Sequence, residues 1–415
     1  MATRAQKRIN VAVSKIVPPL IIGFIIYACY AVTKPLCIDY LIHPLPSYNR
    51  SPRVGAGVVI LVLYYLLLIP MVGSYFRLLY NVILNPGYLP LGPERLQEDN
   101  AAKTEKPSST WRKWNRDPRK SRDAEKPDQT ADLEQGVGNN SDPLISEHNS
   151  IKLESFYTKQ VFVCQDDGRP QYCSKCCQFK TDRAHHCREI DRCVDKMDHF
   201  CPWVGGVVSE TSFKFFVQFV AYTAIYCLFA LIVSAYFTAE IRRNTGSVNP
   251  HWCVCIGLSA FFGFFTFSMT ISSVQMAMMN ITTIENLSRH SHVWTLAIRV
   301  PDHLLERLWV SKSPWAPTYR MITYPPEALT QPQPQPPNTD PSTQERYVFA
   351  ILHTKPGENP YDLGNWKNLQ QVMGYSLTDW LLPLKPSPCT DHSSHESAFA
   401  LGPVVTRLKE EAGLT

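Results

Sequence analysis

The sequence predicts an α-helical polytopic membrane protein: four transmembrane helices, with a compact cysteine-rich cytosolic unit between the second and the third. Three observations predict it. Four runs carry no charged residue over membrane-spanning lengths: Ile16 to Thr33, Val54 to Phe76, Phe215 to Ala239 and Cys253 to Ile284. A helix needs roughly 20 apolar residues to cross about 30 Å of hydrocarbon. The basic residues gather on one side of these runs, and seven of the thirteen cysteines fall between Cys164 and Cys201. The averages conceal all of this: 45% hydrophobic residues, 19% charged and a mean hydropathy of −0.16 read as an ordinary soluble chain.

The first run follows Arg4, Lys7, Arg8 and Lys15, as the apolar core of a secretory signal would. It contains Pro18, Pro19 and Gly23 and lacks a small-residue cleavage site before Lys34, so residues 16–33 are read as a retained span after a cytosolic N-terminus, 1–15. The remaining spans are residues 54–76, 215–239 and 253–279. Lys34, Arg50 and Arg53 lie in the loop between the first two spans, and Arg242 and Arg243 in that between the last two. By contrast, the segment between the second and third spans holds nineteen Lys and Arg, flanked by Arg77 and Lys214. The positive-inside rule therefore places both termini and the central segment in the cytosol.

The central segment divides. Residues 92–155 are rich in charge, Pro, Ser and Asn with little aliphatic content, which predicts a disordered linker. Residues 157–213 form the cysteine-rich domain. Beyond the fourth span, residues 280–415 read as a cytosolic tail, ordered in part, with a polyproline-type spacer at Gln331 to Pro337 and one compact stretch at 359–374. No aromatic-basic motif accompanies the net charge of +5, so nucleic acid is not an expected partner and the charge serves topology and anionic lipid. A transporter or channel is disfavoured because the spans lack ionisable residues.

In a reducing cytosol a cysteine cluster points to metal binding or thiol chemistry rather than to disulfides. Cys173-x-x-Cys176, His186 and Cys193 supply the three thiols and one imidazole that tetrahedral structural zinc prefers. Downstream, Asp198-His199-Phe200-Cys201 aligns a carboxylate, a base and a thiol. A base that takes the thiol proton makes the thiolate nucleophilic, and a carboxylate behind the imidazole fixes its tautomer.

The run from Cys173 to Phe216 resembles the cysteine-rich domain of the DHHC protein S-acyltransferases (palmitoyltransferases), and most closely fungal members, with a DHFC variant of the motif. Asn85-Pro86-Gly87 is similar to the family's Asp-Pro-Gly, Thr282-Thr283-Ile284-Glu285 to its Thr-Thr-x-Glu, and Asn359-Pro360 with Gly364, Asn368 and Gly374 to its C-terminal motif. The resemblance implies short β-hairpins in the domain, palmitoyl-CoA or another long-chain acyl-CoA as donor, and membrane-associated proteins on the cytosolic face as acceptors. It also implies Cys201 as nucleophile, His199 as base and Asp198 as its orienting group. Lys180 and Arg183, with Arg188 and Arg192 behind them, would meet the CoA phosphates, and Tyr226 would end the acyl-chain cavity. Thr283 would hydrogen-bond Asp198, and Asn368 would clasp the Thr-Thr-x-Glu backbone. The alternative is a weak or inactive membrane scaffold that retains the fold.

The family's two structural zinc sites carry over unevenly. Cys173, Cys176, His186 and Cys193 are all present, whereas the second site would use Cys187 with positions now held by Ile190, Phe200 and Val207. One zinc is expected, and an apolar cluster around a protonated Cys187 in place of the other. Cys177 is read as a packing thiol or an acylation side-site. Gly205 and Gly206 stand where Asn-Asn is usual, and Ser209 where Gly is.

Overall fold

The computed structural model describes residues 4–48, 50–104, 153–305, 319–324 and 347–415. Four of its helices are long and apolar enough to cross a membrane. Helix α1 (Arg4–Ala31) tolerates Pro18 and Pro19 and runs directly into a π-helical continuation, Val32–Ile42, so the first apolar rod extends well past the charge-free run. Lys34 and Asp39, which end that run in sequence, pair with each other at 2.6 Å on the continuation. Helix α2 (Val54–Leu84) is followed by α3 (Pro93–Thr104), then α4 (Phe213–Thr245) and α5 (Pro250–Met279) complete the bundle. Gly246 in the left-handed conformation and Arg242 and Arg243 in the last turn close α4, as C-terminal capping and the helix dipole favour. The bundle core holds Tyr40, Tyr64, Tyr75, Phe215 and Trp252, all fully buried.

Between α2 and α4 the chain folds into three two-stranded antiparallel hairpins: β2 (Tyr172–Cys173) with β3 (Gln178–Phe179), β4 (His185–Cys187) with β5 (Arg192–Val194), and β6 (His199–Cys201) with β7 (Gly206–Val208). Asn85-Pro86-Gly87 fastens α2 to them. Gly87 adopts φ 72°, a left-handed turn that lets its carbonyl accept from Asp195 N at 2.9 Å, and Leu89 N donates to Cys193 O at 3.0 Å.

Two expectations are corrected outside the bundle. The region from residue 92 is not structureless throughout: α3 occupies its start, and Leu153 and Phe156 are buried at its end, while 105–152 lie outside the described residues. The tail is far more ordered than its polarity suggests. β8 (Thr295–Arg299), β9 (Arg320–Tyr324) and β10 (Tyr347–His353) join β1 (Val161–Val163) in an antiparallel sheet of order β1-β8-β10-β9. The segment assigned to the start of the cysteine-rich domain is thus an edge strand of the tail's sheet. Helices α6 (Thr283–Leu287), α7 (Asn365–Met373), α8 (Leu377–Leu381) and α9 (Pro403–Glu411) follow the fourth span, α6 before the tail strands and the other three after them. Val405 and Leu408, three apart on α9, reach the same core as Val161, Leu296 and Leu352. The polyproline spacer lies outside the described residues.

Candidate active site

In a strand successive side chains alternate faces, so β6 sends His199 and Cys201 one way and Phe200 the other. That alternation makes a D-H-x-C string a usable pair. His199 Nδ1 lies 2.6 Å from Asp198 Oδ2, and the ring also hydrogen-bonds Cys201, which leaves Nε2 for the thiol. Asp198 is held from the far side: Thr283 N donates to Oδ1 at 2.9 Å and Thr283 Oγ1 donates to Oδ2 at 2.8 Å, the contact anticipated for Thr283. Burial opposes the charge on His199, but the bonds to Asp198 and then Cys201 prevail and hold its pKa up to about 10.

Cys201 opens on a cavity of about 300 Å³ between the helices, lined by Met71, Trp203, Phe216, Phe219, Tyr226 and Phe262 and almost wholly apolar. Tyr226 is buried in the wall and shares a hydroxyl–hydroxyl hydrogen bond with Tyr64 of α2. Tyr64 is not identifiable from sequence, because nothing in a charge-free run marks which tyrosine meets another helix. After Cys201, a 3₁₀ turn over Pro202–Val204 ends at Gly205 with φ 80°. A Cβ at Gly206 would come within 2.8 Å of Val82 Cγ1, so the Gly-Gly pair permits both the left-handed turn and the close approach of α2. Ser209, in place of the usual Gly, is buried and donates to Pro86 O at 3.0 Å.

Cys173, Cys176, His186 and Cys193 converge from the first two hairpins, their ligand atoms all within 4.8 Å of one another. His186 Nδ1 lies 3.6, 3.3 and 3.9 Å from the three sulfurs. A tetrahedral ion with ordinary metal–sulfur and metal–nitrogen bonds requires edges of about 3.5 Å, so the set fits a metal ion. His186 Nε2 faces the Asp191 carboxylate at 3.3 Å, the outer-shell arrangement that orients such ligands. Where the second site would lie, Cys187, Val194, Met197 and Val207 form a buried cluster with Ile190, Phe200 and Ile284 packed on it. Burial pushes the Cys187 thiol up to about 11, so it stays protonated. Cys177 is partly exposed and donates to Ser174 O at 3.4 Å.

The basic residues need correction. Arg183 does not face outward for a phosphate. Its side chain is fully buried, forks onto Glu285 at 2.7 and 2.6 Å, and donates to Asn280 Oδ1 and O, both at 2.9 Å. Its guanidinium lies over the Tyr361 and Phe399 rings, at 4.9 and 5.4 Å. A buried arginine fork is matched to a carboxylate, and here it ties the cysteine-rich unit to the Thr-Thr-x-Glu segment. Arg192 donates to Leu89 O at 2.7 Å, and Arg188 pairs with Glu189. Lys180 remains half-buried beside a small cavity that His185 and His292 also line. The four residues of Thr282-Thr283-Ile284-Glu285 divide the work between them. Thr282 and Glu285 form a capping box, Thr283 carries Asp198, Ile284 packs on the Cys187 cluster and Glu285 carries Arg183.

Asn368 does not clasp that motif. It donates to Met278 O at 2.8 Å, and Asn359 donates to Met279 O and Asn280 O, both at 3.1 Å, so the C-terminal motif satisfies orphan carbonyls at the end of α5. Asn280 is the residue that sequence reasoning misses. It caps α5 in the left-handed conformation and joins Arg183, Lys196 and the Tyr361 carbonyl. Asparagine's tolerance of positive φ at a helix end is the available signal.

Residues 166–290 match the family model described as DHHC palmitoyltransferase. The chain is 59% identical to palmitoyltransferase pfa5 of Aspergillus fumigatus, over 100% of this chain and 93% of that one. It is 52% identical to palmitoyltransferase pfa5 of Emericella nidulans, over 100% of this chain and 88% of that protein. Palmitoyltransferase ZDHHC15 of Rattus norvegicus is 26% identical over 56% of this chain and 52% of its own length. With its four membrane-spanning helices, its relay on β6 and relatives alike from end to end, the chain belongs to the DHHC palmitoyltransferase family and is a protein S-palmitoyltransferase.

Proposed function

We propose that Cys201 carries the acyl group between a long-chain acyl-CoA and a cysteine of a membrane-associated protein. The observation that carries this reading is the Asp198–His199–Cys201 relay at the wall of an apolar cavity inside the bundle. His199, held up by Asp198, takes the thiol proton and keeps the sulfur as thiolate. The thiolate attacks the thioester carbonyl, the Cys201 S–acyl bond forms, and the CoA sulfur leaves with the proton returned by His199. A substrate thiol then gives its proton to His199 and attacks the acyl carbon, which frees Cys201. One thioester replaces another at each step, so the protein's contribution is thiolate and alignment. The acyl chain lies in the cavity, whose wall includes Tyr226, held by Tyr64 behind it, and Lys180 is the basic residue left for the donor's phosphates.

Cys173, Cys176, His186 and Cys193 hold one structural zinc, which clamps the first two hairpins together when bound, and the apolar cluster around Cys187 replaces a second. The cysteine-rich unit and both termini face the cytosol, as the basic residues direct. Incubation with a clickable palmitoyl-CoA analogue tests the reading. Hydroxylamine-sensitive label forms on the wild type and is absent from Cys201→Ser. A folded wild-type chain that takes no label would instead be the inactive scaffold.

A further inference from the structure

Residues 375–385 combine two features that seldom occur together. Their leucines are exposed: Leu377 is 77% exposed and Leu384 69%, with Leu381 and Leu382 beside them. Their backbone carbonyls, by contrast, are met by side chains of α4. Gln218 Nε2 donates to Trp380 O at 2.9 Å and to Asp379 O at 3.2 Å, Tyr222 Oη donates to Leu381 O at 2.5 Å, and Lys214 Nζ donates to Lys385 O at 3.0 Å. All but the last of these carbonyls belong to the final turn of α8, and a helix end in water leaves such groups to the solvent. At membrane depth the unpaired carbonyls of a helix end persist only where protein satisfies them.

The position agrees. Tyr222 lies eight residues beyond Lys214 along the uncharged part of α4, about 12 Å along the axis at 1.5 Å per residue. Pro383 meets α2 as well, 3.8 Å from where a Cβ on Gly73 would stand. Next to the leucines in sequence, exposed Trp366 (62%), Tyr375, Lys367 and Lys385 provide the aromatic and basic residues that suit a headgroup layer. The capping box of Ser376 and Asp379 and the bond from Trp380 Nε1 to Gly374 O at 2.8 Å close the turn internally.

We infer that residues 375–385 are a wedge of the tail that dips into the bilayer leaflet on the side of the cysteine-rich unit, lodged against α2 and α4 with its leucines in lipid. The segment seats on α2 at Gly73 and on α4 at Tyr222, one helical turn from Ile69, Phe76 and Ile225, which the spans expose to lipid, and that neighbourhood selects lipid over a protein partner. The wedge anchors α7, and through Asn368 the end of α5, at a fixed depth.

The test uses the full chain in phosphatidylcholine–phosphatidylserine nanodiscs with p-benzoylphenylalanine in place of Leu377, Leu384 or, as control, exposed Lys355. After irradiation, phospholipid adducts at the two leucine positions exceed those at Lys355 at least tenfold. Adduct yields equal to the control, or adducts to a second copy of the chain, overturn the inference. Hydroxyl-radical footprinting of the unmodified protein gives an independent reading. Leu377 and Leu384 stay unoxidised in nanodiscs, and oxidation at the rate of Leu96 on α3 would overturn the wedge. Neither measurement involves acyl transfer, so both are separate from the catalytic reading.

Discussion

Asp198→Asn removes one charge from the site and leaves its shape. The carboxylate is buried and accepts three hydrogen bonds, at 2.6 Å from His199 and at 2.9 and 2.8 Å from Thr283. A hydrogen bond to a charged group contributes roughly 1.5–3 kcal/mol. Loss of the His199 bond alone therefore slows acylation about 10- to 150-fold. The amide adds a second penalty. With its oxygen kept on Thr283 N, the amide NH₂ faces His199 Nδ1, which must turn from donor to acceptor and shift its proton to Nε2, the nitrogen toward Cys201. A wrong tautomer of this kind costs roughly 10⁴ in serine proteases. The expected fall in single-turnover auto-acylation, followed with a fluorescent acyl-CoA, is about 10² to 10⁴.

The pH dependence sharpens the same test. The His199 pKa is raised from 6.5 to about 10 in the fold, so its stabilisation is complete below about pH 6.5 and is lost as pH rises through about 10. Single-turnover acylation by the wild type changes with pH as His199 loses its proton near about pH 10, whereas in Asp198→Asn that transition falls toward the ordinary imidazole range. A variant within threefold of wild type, with an unchanged profile, would refute the relay.

Three further outcomes follow from the same geometry. Purified protein carries one zinc per chain, lost in Cys176→Ser, and a stoichiometry of two by mass spectrometry would contradict the apolar replacement around Cys187. Arg183→Ala strands the buried Glu285 and destabilises the fold by about 3–5 kcal/mol in denaturant titrations. Arg183→Lys keeps the charge but loses the fork, and it lowers stability without raising the KM for acyl-CoA; a raised KM in a stable protein would restore Arg183 to the phosphates. Tyr226→Ala opens the cavity wall and shifts the preferred acyl-CoA toward longer chains in a competition assay, whereas an unaltered chain profile removes Tyr226 from that role.

What is legible in the sequence is what local chemistry encodes. Charge-free runs mark spans, Cys-x-x-Cys marks a knuckle, and alternation along a strand places His199 and Cys201 on one face while Phe200 joins the apolar cluster. The Thr283–Asp198 contact is reachable because both residues sit in recognisable motifs. Arg183 is misleading because a basic residue in a polar stretch looks solvated, and only the fold places Glu285 and two aromatic rings around it. The order of the tail is hidden for a related reason. Its sheet includes β1, more than 130 residues upstream of β8, so no local stretch of sequence shows the strands their partners. The Tyr64–Tyr226 bond and the hub at Asn280 depend on helix rotation and end geometry, which periodicity does not supply.

The covalent relay through Cys201 is the central claim, and a chase experiment tests it most directly. Acyl-enzyme is formed with radiolabelled palmitoyl-CoA, freed of donor, and mixed with a lipid-tethered cysteine peptide. The account predicts that label leaves Cys201 and reaches the peptide at the same rate and in equal amount, with no acyl-CoA present. Label that stays on the enzyme while the peptide is acylated only when acyl-CoA is restored would contradict it.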